Sequence, residues 1–389
     1  MTTFSVISFA LFTGVVLYIV IGYPVLLAWI ARHYAKPVQK GEVRKTLSFV
    51  IAVYNGEAFL GNKLRSILQT AYPRELMQII VVSDGSTDRT AEIAAGFEPQ
   101  GVELLTIPRG GKPQAINTAI RHATGEILIL TDVRQLLEPQ AVGNLIDCFA
   151  DSSVGVASGD LVIRESSQAG EKNVGLYWRY ERWIRKNLGR VDSIFGATGP
   201  FYAMRRSLAV EIPPDSLLDD MYLPLAAFFR GYRLIVEESA RAIDYPTGIQ
   251  TEFGRKVRTL AGNFQILAHY PALVTPRNRM LPHYLSYKIG RLSLPWFVLL
   301  IAVSSFGLPY PWNIAALLPQ GVFYLLAAID GIIPANMRIK RISSLARTVF
   351  VLLAAAVFAM RIFFVGPRDL WKPTQIQLSQ SNETNNSHP

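Results

Sequence analysis

Residues 47–60 read LSFVIAVYNGEAFL, residues 78–95 QIIVVSDGSTDRTAEIAA, residues 102–120 VELLTIPRGGKPQAINTAI and residues 125–132 GEILILTD. Each begins as an apolar, β-branched run and ends in a polar turn, and each turn opens a segment of helical periodicity. Strand–turn–helix units repeated at this length predict a parallel sheet with helices on its faces. Such sheets bind ligands beyond the carboxyl ends of their strands. The polar residues that fall there are Tyr54-Asn55-Gly56-Glu57, Ser83-Asp84-Gly85-Ser86, Gly110-Gly111-Lys112 and Thr131-Asp132.

Outside this stretch the chain is unusually poor in charge. Of 389 residues, 50% are hydrophobic and 17% charged, against about 25% charged in a soluble protein. Apolar runs at both ends account for the difference. Phe4 to Ile30 is almost free of charge and long enough to span a bilayer, which takes about 20 residues. A signal peptide would need a basic start and a small-residue cleavage site, and neither is evident. Arg32, His33, Lys36, Lys40, Arg44 and Lys45 follow the run. By the positive-inside tendency they put the next domain on the cytoplasmic side and the N-terminus outside. The net charge of +10 reads as this topology rather than as nucleic-acid binding, which the acidic strand ends also disfavour.

Three further runs, Leu292 to Leu308, Trp312 to Ile333 and Ala346 to Val365, approach spanning length. Pro311 lies in a very short link, so the first two form a hairpin. Arg338, Lys340, Arg341 and Arg347 mark the next loop as cytoplasmic. Arg361 inside the last run and Arg368 and Lys372 after it leave two readings: the segment crosses, or it lies against the membrane and returns. The expected division is a transmembrane helix in 1–31, a cytoplasmic catalytic domain in 46–245, interfacial helices in 246–290, membrane segments in 291–367 and a polar tail in 368–389. Aromatics and cations mix in Tyr177, Trp178, Arg179, Tyr180, Arg182, Trp183, Arg185 and Lys186, as at a membrane interface or on a helix with snorkelling arginines. Phe253 to His269 reads as a second interfacial helix.

Several residues could carry chemistry. Asp84 at a strand tip can accept hydrogen bonds from a base or ribose; the plainer alternative is that it closes its turn. Asp132, in the same position after ILIL, can bind a metal that bridges a diphosphate. Arg134 can hold phosphate oxygens directly. Lys112 follows two glycines at a helix start, where anions are favoured. Asp219-Asp220 opens MYLPLAAFFRGYR, either as dipole complements or as a general base raised by its neighbour. The lone Cys148 can form no intramolecular disulfide. The histidines do not pair at metal-ligand spacing. Gly-x-Ser-x-Gly and Gly-x-Gly-x-x-Gly turns do not occur where their chemistries need them.

Taken in order, VIAVYNGEAFL, VVSDGSTDRTAEIA, GKPQAINTAI, ATGEILILTD and DDMYLPLAAFFRGYR resemble the membrane-bound family 2 glycosyltransferases, which include cellulose, chitin and hyaluronan synthases and bacterial exopolysaccharide enzymes. The resemblance covers nearly the whole chain. It implies a GT-A fold: a Rossmann-like mixed sheet flanked by helices, here with one N-terminal and about three C-terminal membrane helices. It implies that Ala52, Tyr54, Asn55 and Glu57 line a nucleotide pocket, that Asp84 holds a uridine-type nucleoside and that Lys112 lies beside the diphosphate. By the same match Asp132 is the first carboxylate of Asp-x-Asp, holding Mg2+ or Mn2+. The loop Gly196-Ala197-Thr198-Gly199-Pro200 meets the acceptor, Asp219-Asp220 is the Glu-Asp motif and Asp220 is the catalytic base. Two positions depart from the family. Arg134 replaces the second Asp, which removes a principal metal ligand. Arg255-Lys256-Val257-Arg258-Thr259 stands where processive synthases have Gln-x-x-Arg-Trp; only Arg258 is kept, which favours single-sugar transfer.

The expected activity is inverting transfer from a nucleotide sugar, UDP-linked, to a lipid-linked or glycan acceptor. The expected location is the cytoplasmic face of the inner (plasma) membrane, in a multi-pass chain. The alternatives are a degenerate nucleotide-sugar-binding scaffold and a polyprenyl-phosphate glycosyltransferase.

Overall fold

The β-branched runs and amphipathic stretches fold as their periodicities require. The computed structural model describes residues 2–163, 171–244, 249–334 and 336–370, with backbone only for 171–178, 249–252 and 368. The tail from 371 and the boundary residues 245–248 lie outside the described residues, as do the side chains of Tyr177 and Trp178.

In chain order the elements are α1 (Thr2–Leu17), α2 (Tyr23–His33), β1 (Leu47–Val53), α3 (Glu57–Leu68), β2 (Met77–Asp84), α4 (Thr90–Ala95), β3 (Val102–Ile107), α5 (Lys112–His122), β4 (Ile127–Thr131), β5 (Leu136–Leu137) and α6 (Ala141–Ile146). Then come β6 (Val154–Ile163), α7 (Glu171–Val191), β7 (Phe201–Arg205), α8 (Asp219–Phe229), β8 (Arg233–Asp244), α9 (Ile249–His269), α10 (Leu281–Tyr284), α11 (Gly290–Phe306), α12 (Trp312–Ile329) and α13 (Ile339–Ala359).

Among the described residues the strands form one sheet in the order β3-β2-β1-β4-β7-β6-β8-β5. β3, β2, β1 and β4 are mutually parallel, as the repeated units predict. The parallel expectation stops there. β7 runs antiparallel to both β4 and β6, so the sheet is mixed, as the family resemblance implies. The reversal follows from the path of the chain: after β6 it passes through α7 and the loop at 196–200, and re-enters the sheet between β4 and β6 from the opposite end. β1 lies between β2 and β4. Chain connections leave it in opposite directions at that point, which opens a crevice at the carboxyl ends of β1 and β4.

Two apolar layers cover the sheet. One includes Phe49, Ile51, Ile79, Val81, Ile127 and Ile129 with Leu60, Leu64 and Ile67 of α3. The other includes Val50, Ile80, Val82, Leu128 and Leu130 with Ala115, Ile116 and Ala119 of α5. The alternation along each strand is what sends successive side chains into different layers. This second layer also takes in Tyr23 and Leu27 of α2, Tyr284 and Tyr287, and Ala359. The long apolar helices at both ends of the chain therefore share the sheet domain's core rather than hang from it.

Among the described residues, four helical stretches are long and apolar enough to cross a membrane: Thr2–His33, Leu281–Phe306, Trp312–Ile329 and Ile339–Phe363. The second and fourth start earlier than the apolar runs suggested, because His283, Lys288, Lys340 and Arg341 interrupt the pattern without breaking the helix. The last stretch does not stand free at its end. Phe358 meets Phe253 of α9 at 5.9 Å between ring centroids, and Phe363 meets Phe264 at 5.3 Å.

Close backbone approach is tested at Gly125, just before β4. A Cβ there would lie 2.5 Å from the carbonyl carbon of Leu47 and 2.6 Å from the nitrogen of Ser48. Gly125→Ala is expected to cost about 1–3 kcal/mol by overpacking, read as a lowered apparent Tm in detergent. Gly143→Ala, where no heavy atom lies within 4 Å, serves as the control and should leave Tm unchanged or raise it.

Candidate active site

The crevice is lined by Val50 and Ala52 of β1, Leu130 and Thr131 of β4, Asp132, Lys112 and Ile116 of α5, Gly199, and Asp219 of α8. Its polar centre is a chain of opposite charges. The Lys112 ammonium lies 3.0 Å from Asp132 and 3.3 Å from Asp219. Gly111, with φ at 94°, makes the left-handed turn that lets α5 begin at Lys112. Asp219 and Asp220 occupy the first turn of α8, where backbone N–H groups favour carboxylates.

The loop at 196–200 lies across Asp220. Ala197 N–H donates to the Asp220 carbonyl at 2.7 Å. A Cβ at Gly199 would lie 2.9 Å from the Asp220 Oδ2, so a larger residue there would press on the carboxylate. Thr198 N–H donates to Ser158 Oγ at 2.8 Å, and Pro200 accepts from Thr131 Oγ1 at 2.7 Å.

This crowding of like charge sets the protonation states. Burial, then the neighbouring Asp219, push the Asp220 carboxyl up to about 6, against the pull of Lys112. Burial would also raise Asp132, but the Lys112 ammonium outweighs it and holds that carboxyl below its ordinary value. Lys112 is the converse: burial disfavours its charge, and Asp132, Asp219 and Asp220 together raise it. Arg258 of α9 is lowered by burial and by Arg255, while Asp220, Asp219 and Asp132 act on it as counter-charges. Arg258 thus belongs electrostatically to the same cluster. Thr259, in place of the Trp of the processive pattern, is exposed and bonds back to the Arg255 carbonyl at 2.9 Å.

Other expected site residues are placed differently. Asp84 has its carboxylate filled: Gly110 N–H donates at 2.7 Å, Gly111 N–H at 3.0 Å, and Arg109 is ion-paired to it. It fastens the β3–α5 turn. Arg109 also lies 3.6 Å over the Tyr54 ring. Asn55, at φ 51°, accepts from Thr87 N–H at 2.9 Å, and Glu57 accepts from Arg89 N–H at 3.1 Å. These two side chains lace the β1–α3 turn to the β2–α4 turn rather than face the crevice.

Arg134 is engaged elsewhere. Expected to hold phosphate, it is ion-paired with Asp244 at the end of β8, and Gln135 Nε2 donates to the same carboxylate at 2.9 Å. A buried carboxylate in reach captures a guanidinium more firmly than solvent does, so Arg134 secures the turn after β4.

Sequence reasoning missed Lys63, Arg109, Ser158 and Asp244. Lys63 had left a signal: it lies on the apolar stripe formed by Leu60, Leu64 and Ile67, a costly place for an ammonium. Tyr202 of β7 was missed too. Its hydroxyl is buried without a hydrogen-bond partner among the described residues, in the field of Asp219, Asp220 and Asp132.

The fit to a divalent metal is limited. Among the described residues no three His, Cys, Asp or Glu side chains gather as ligands. The donors present fit an ion held by Asp132 alone, with diphosphate oxygens completing its shell.

Residues 48–212 match the family described as Glycosyl transferase family 2. The chain carries a family 2 glycosyltransferase domain. The matched span begins on β1 and ends beyond β7, so it contains Asp84, Lys112, Asp132 and the loop at 196–200, while Asp219, Asp220 and Arg258 lie beyond it. A poly-beta-1,6-N-acetyl-D-glucosamine synthase of Staphylococcus aureus (strain COL) is 23% identical over 265 residues, 66% of this chain and 63% of that protein. The synthase of the same name from Staphylococcus epidermidis is 24% identical over 272 residues, 67% of this chain and 64% of that protein. The chain thus spans slightly less than two thirds of the length of these relatives. A mannosyltransferase from Pyrobaculum calidifontis, solved in complex with GDP-Man and Mn2+, is 22% identical with a TM-score of 0.69, covering 91% of this chain and 97% of that one. The two share the GT-A fold.

The Arg134–Asp244 pair gives a direct test of this placement. Arg134→Gln removes one of the partners of the buried Asp244 carboxylate, so stability should fall by about 1–3 kcal/mol, seen as a lower Tm, while UDP affinity by calorimetry stays unchanged. Adding Asp244→Asn should recover part of the lost Tm. A large loss of UDP affinity with Tm intact would return Arg134 to the phosphate.

Proposed function

We propose that this glycosyltransferase moves one sugar from a nucleoside diphosphate sugar to a hydroxyl of a lipid-linked glycan, with inversion, at the cytoplasmic face of the cell membrane. The observation that carries the reading is the cluster itself. Asp132, Lys112, Asp219, Asp220 and Arg258 meet at the carboxyl ends of β1 and β4, beneath the loop at 196–200.

Asp220 takes the proton of the acceptor hydroxyl as its oxygen attacks the anomeric carbon. The bond from that carbon to the diphosphate oxygen breaks on the opposite face. One base suffices, because no sugar–enzyme bond forms, unlike the paired carboxylates of retaining glycosidases. The departing diphosphate gains charge, and Lys112 and Arg258 are the cations placed to stabilise it. A divalent ion carried in with the diphosphate would share that charge at Asp132.

The names of the staphylococcal relatives favour a UDP-linked N-acetylhexosamine as the first donor to test. The absence of the Trp at Thr259 favours single transfer over polymer synthesis. Basic residues Arg32 to Lys45 after the first apolar helix support a cytoplasmic domain, and the sharing of the core with membrane-proximal helices supports an acceptor held at the lipid surface.

Membranes carrying the protein, supplied with labelled UDP-sugars one at a time, should yield a lipid-extractable product one sugar longer. Asp220→Asn should lower kcat by ~10²–10⁴-fold and leave UDP binding intact. Normal turnover by that variant would take the base role from Asp220.

The reaction should also follow the Asp220 carboxylate. The base acts only when ionised, so kcat should rise with pH through about 6 and then level off. Asp219→Asn removes a neighbouring negative charge and should move the rise to lower pH. A wild-type profile flat from pH 5 to 8 would rule out a carboxylate base of this kind.

A further inference from the structure

Lys63 is fully buried on the inner face of α3, between Leu60, Leu64 and Ile67. Its ammonium crosses the apolar layer to the end of β4. There it donates to Thr131 Oγ1 at 2.6 Å and to the Gln135 carbonyl at 2.7 Å. Those two acceptors are the two ends of the turn that carries Asp132. The contacts continue outward. The Thr131 hydroxyl donates to the Pro200 carbonyl at 2.7 Å, and Asp132 N–H reaches the same carbonyl at 3.3 Å. Pro200 follows Gly199, which packs on the Asp220 carboxylate. An ammonium on α3 is thereby joined through one hydroxyl to the loop over the candidate base.

An ammonium in such a place is expensive, and an apolar side chain of similar volume would fill the layer at less cost. Burial pushes the Lys63 ammonium down to about 7, and the field of Asp132 opposes that shift. The group therefore works against its own solvation to hold one turn and one hydroxyl.

We propose that Lys63 is a positioning residue for glycosyl transfer, fixing the Asp132 turn and, through Thr131 and Pro200, the separation between Asp132 and the Gly199–Asp220 wall. The inference rests on the glycosyl-transfer reading above, and Lys63 itself touches no reacting atom. Its contribution is to hold the donor side and the base side of the crevice in register, where a displacement of about 1 Å can cost ~10²-fold in rate.

The test uses the full-length protein in detergent with Lys63→Met, Thr131→Val and the double variant. Lys63→Met keeps the volume and removes the ammonium; Thr131→Val keeps the shape and removes the relay. Each single variant should lower kcat by about 10–100-fold, as loss of an orienting partner does, while KM for the donor stays near normal. The double variant should be no slower than the slower single variant, because both cut the same chain. Amide hydrogen exchange reads the link without turnover. Exchange should accelerate at 131–136 and 196–201 in Lys63→Met and stay unchanged across β1 and β2. Unaltered exchange at 196–201 would overturn the proposal, as would additive rate losses in the double variant. Uniformly faster exchange with a lowered Tm would reduce Lys63 to a prop of the fold. If wild type transfers no sugar from any nucleotide sugar, the functional reading fails on its own, and the exchange pattern still decides the role of Lys63 in joining the two walls.

Discussion

One ammonium bridges the two halves of the domain where they meet at the crevice. Lys112 lies 3.0 Å from Asp132 and 3.3 Å from Asp219. Asp132 belongs to the parallel half of the sheet, and Asp219 opens a helix that follows the antiparallel insertion. In the crevice Asp219 and Asp132 both repel the Asp220 carboxylate. Lys112 relieves that repulsion, and its position is set by the Gly110–Gly111 turn. That turn is itself clipped by Asp84. The residue expected to greet the nucleoside thus acts one step further back in this structure. It fixes the turn that fixes the lysine that permits the carboxylates.

Sequence alone made the parallel half legible because its information is local. The runs at β1, β2, β3 and β4 are apolar, β-branched and closed by turn residues, and the first three lead into helices. Three strands of the other half, β5, β7 and β8, were hard to see for equally physical reasons. β7 is five residues long and β5 two, too short for any periodicity to declare itself. β8 carries Glu237, Glu238 and Arg241 in a strand whose burial is irregular, and β6 meets it through register shifts. The antiparallel placement of β7 is a property of chain path, which no strand's own sequence records.

The candidate site divides along the same line. Residue type and position at strand ends and helix starts were enough to single out Asp84, Lys112, Asp132, Asp219 and Asp220. What each side chain bonds to was not readable, because the partner lies far away in sequence. Arg134 meets Asp244 across 110 positions, and Lys63 meets Thr131 across 68. Asn55 and Glu57 looked like pocket residues because they follow β1. The positive φ at Asn55 and the adjacent β2–α4 turn direct them to backbone N–H groups instead. A side chain at a strand end is offered two uses, ligand or neighbouring turn, and the nearest unsatisfied N–H decides between them.

The loop at 196–200 is where these constraints meet. Its Ala197 N–H is bonded to the first turn of α8, its Thr198 to Ser158 of β6, and its Pro200 carbonyl to Thr131 of β4. Arg185 of α7 donates to the Gly196 carbonyl at 3.1 Å, so the membrane-proximal helix also has a hold on it. α7 is in turn anchored to the start of α11 by Glu181, which accepts from Arg291 at 2.5 Å. A displacement of the membrane helices would therefore reach Asp220 through only two helices and one loop. Charge balance makes that path consequential. Burial and Asp219 push the Asp220 carboxyl up to about 6 while Lys112 restrains it. Small changes in how the loop covers the carboxylate alter its solvation, and solvation is the largest of those influences. The same packing that joins the domain to the apolar helices thus bears on how readily the Asp220 carboxylate can accept a proton.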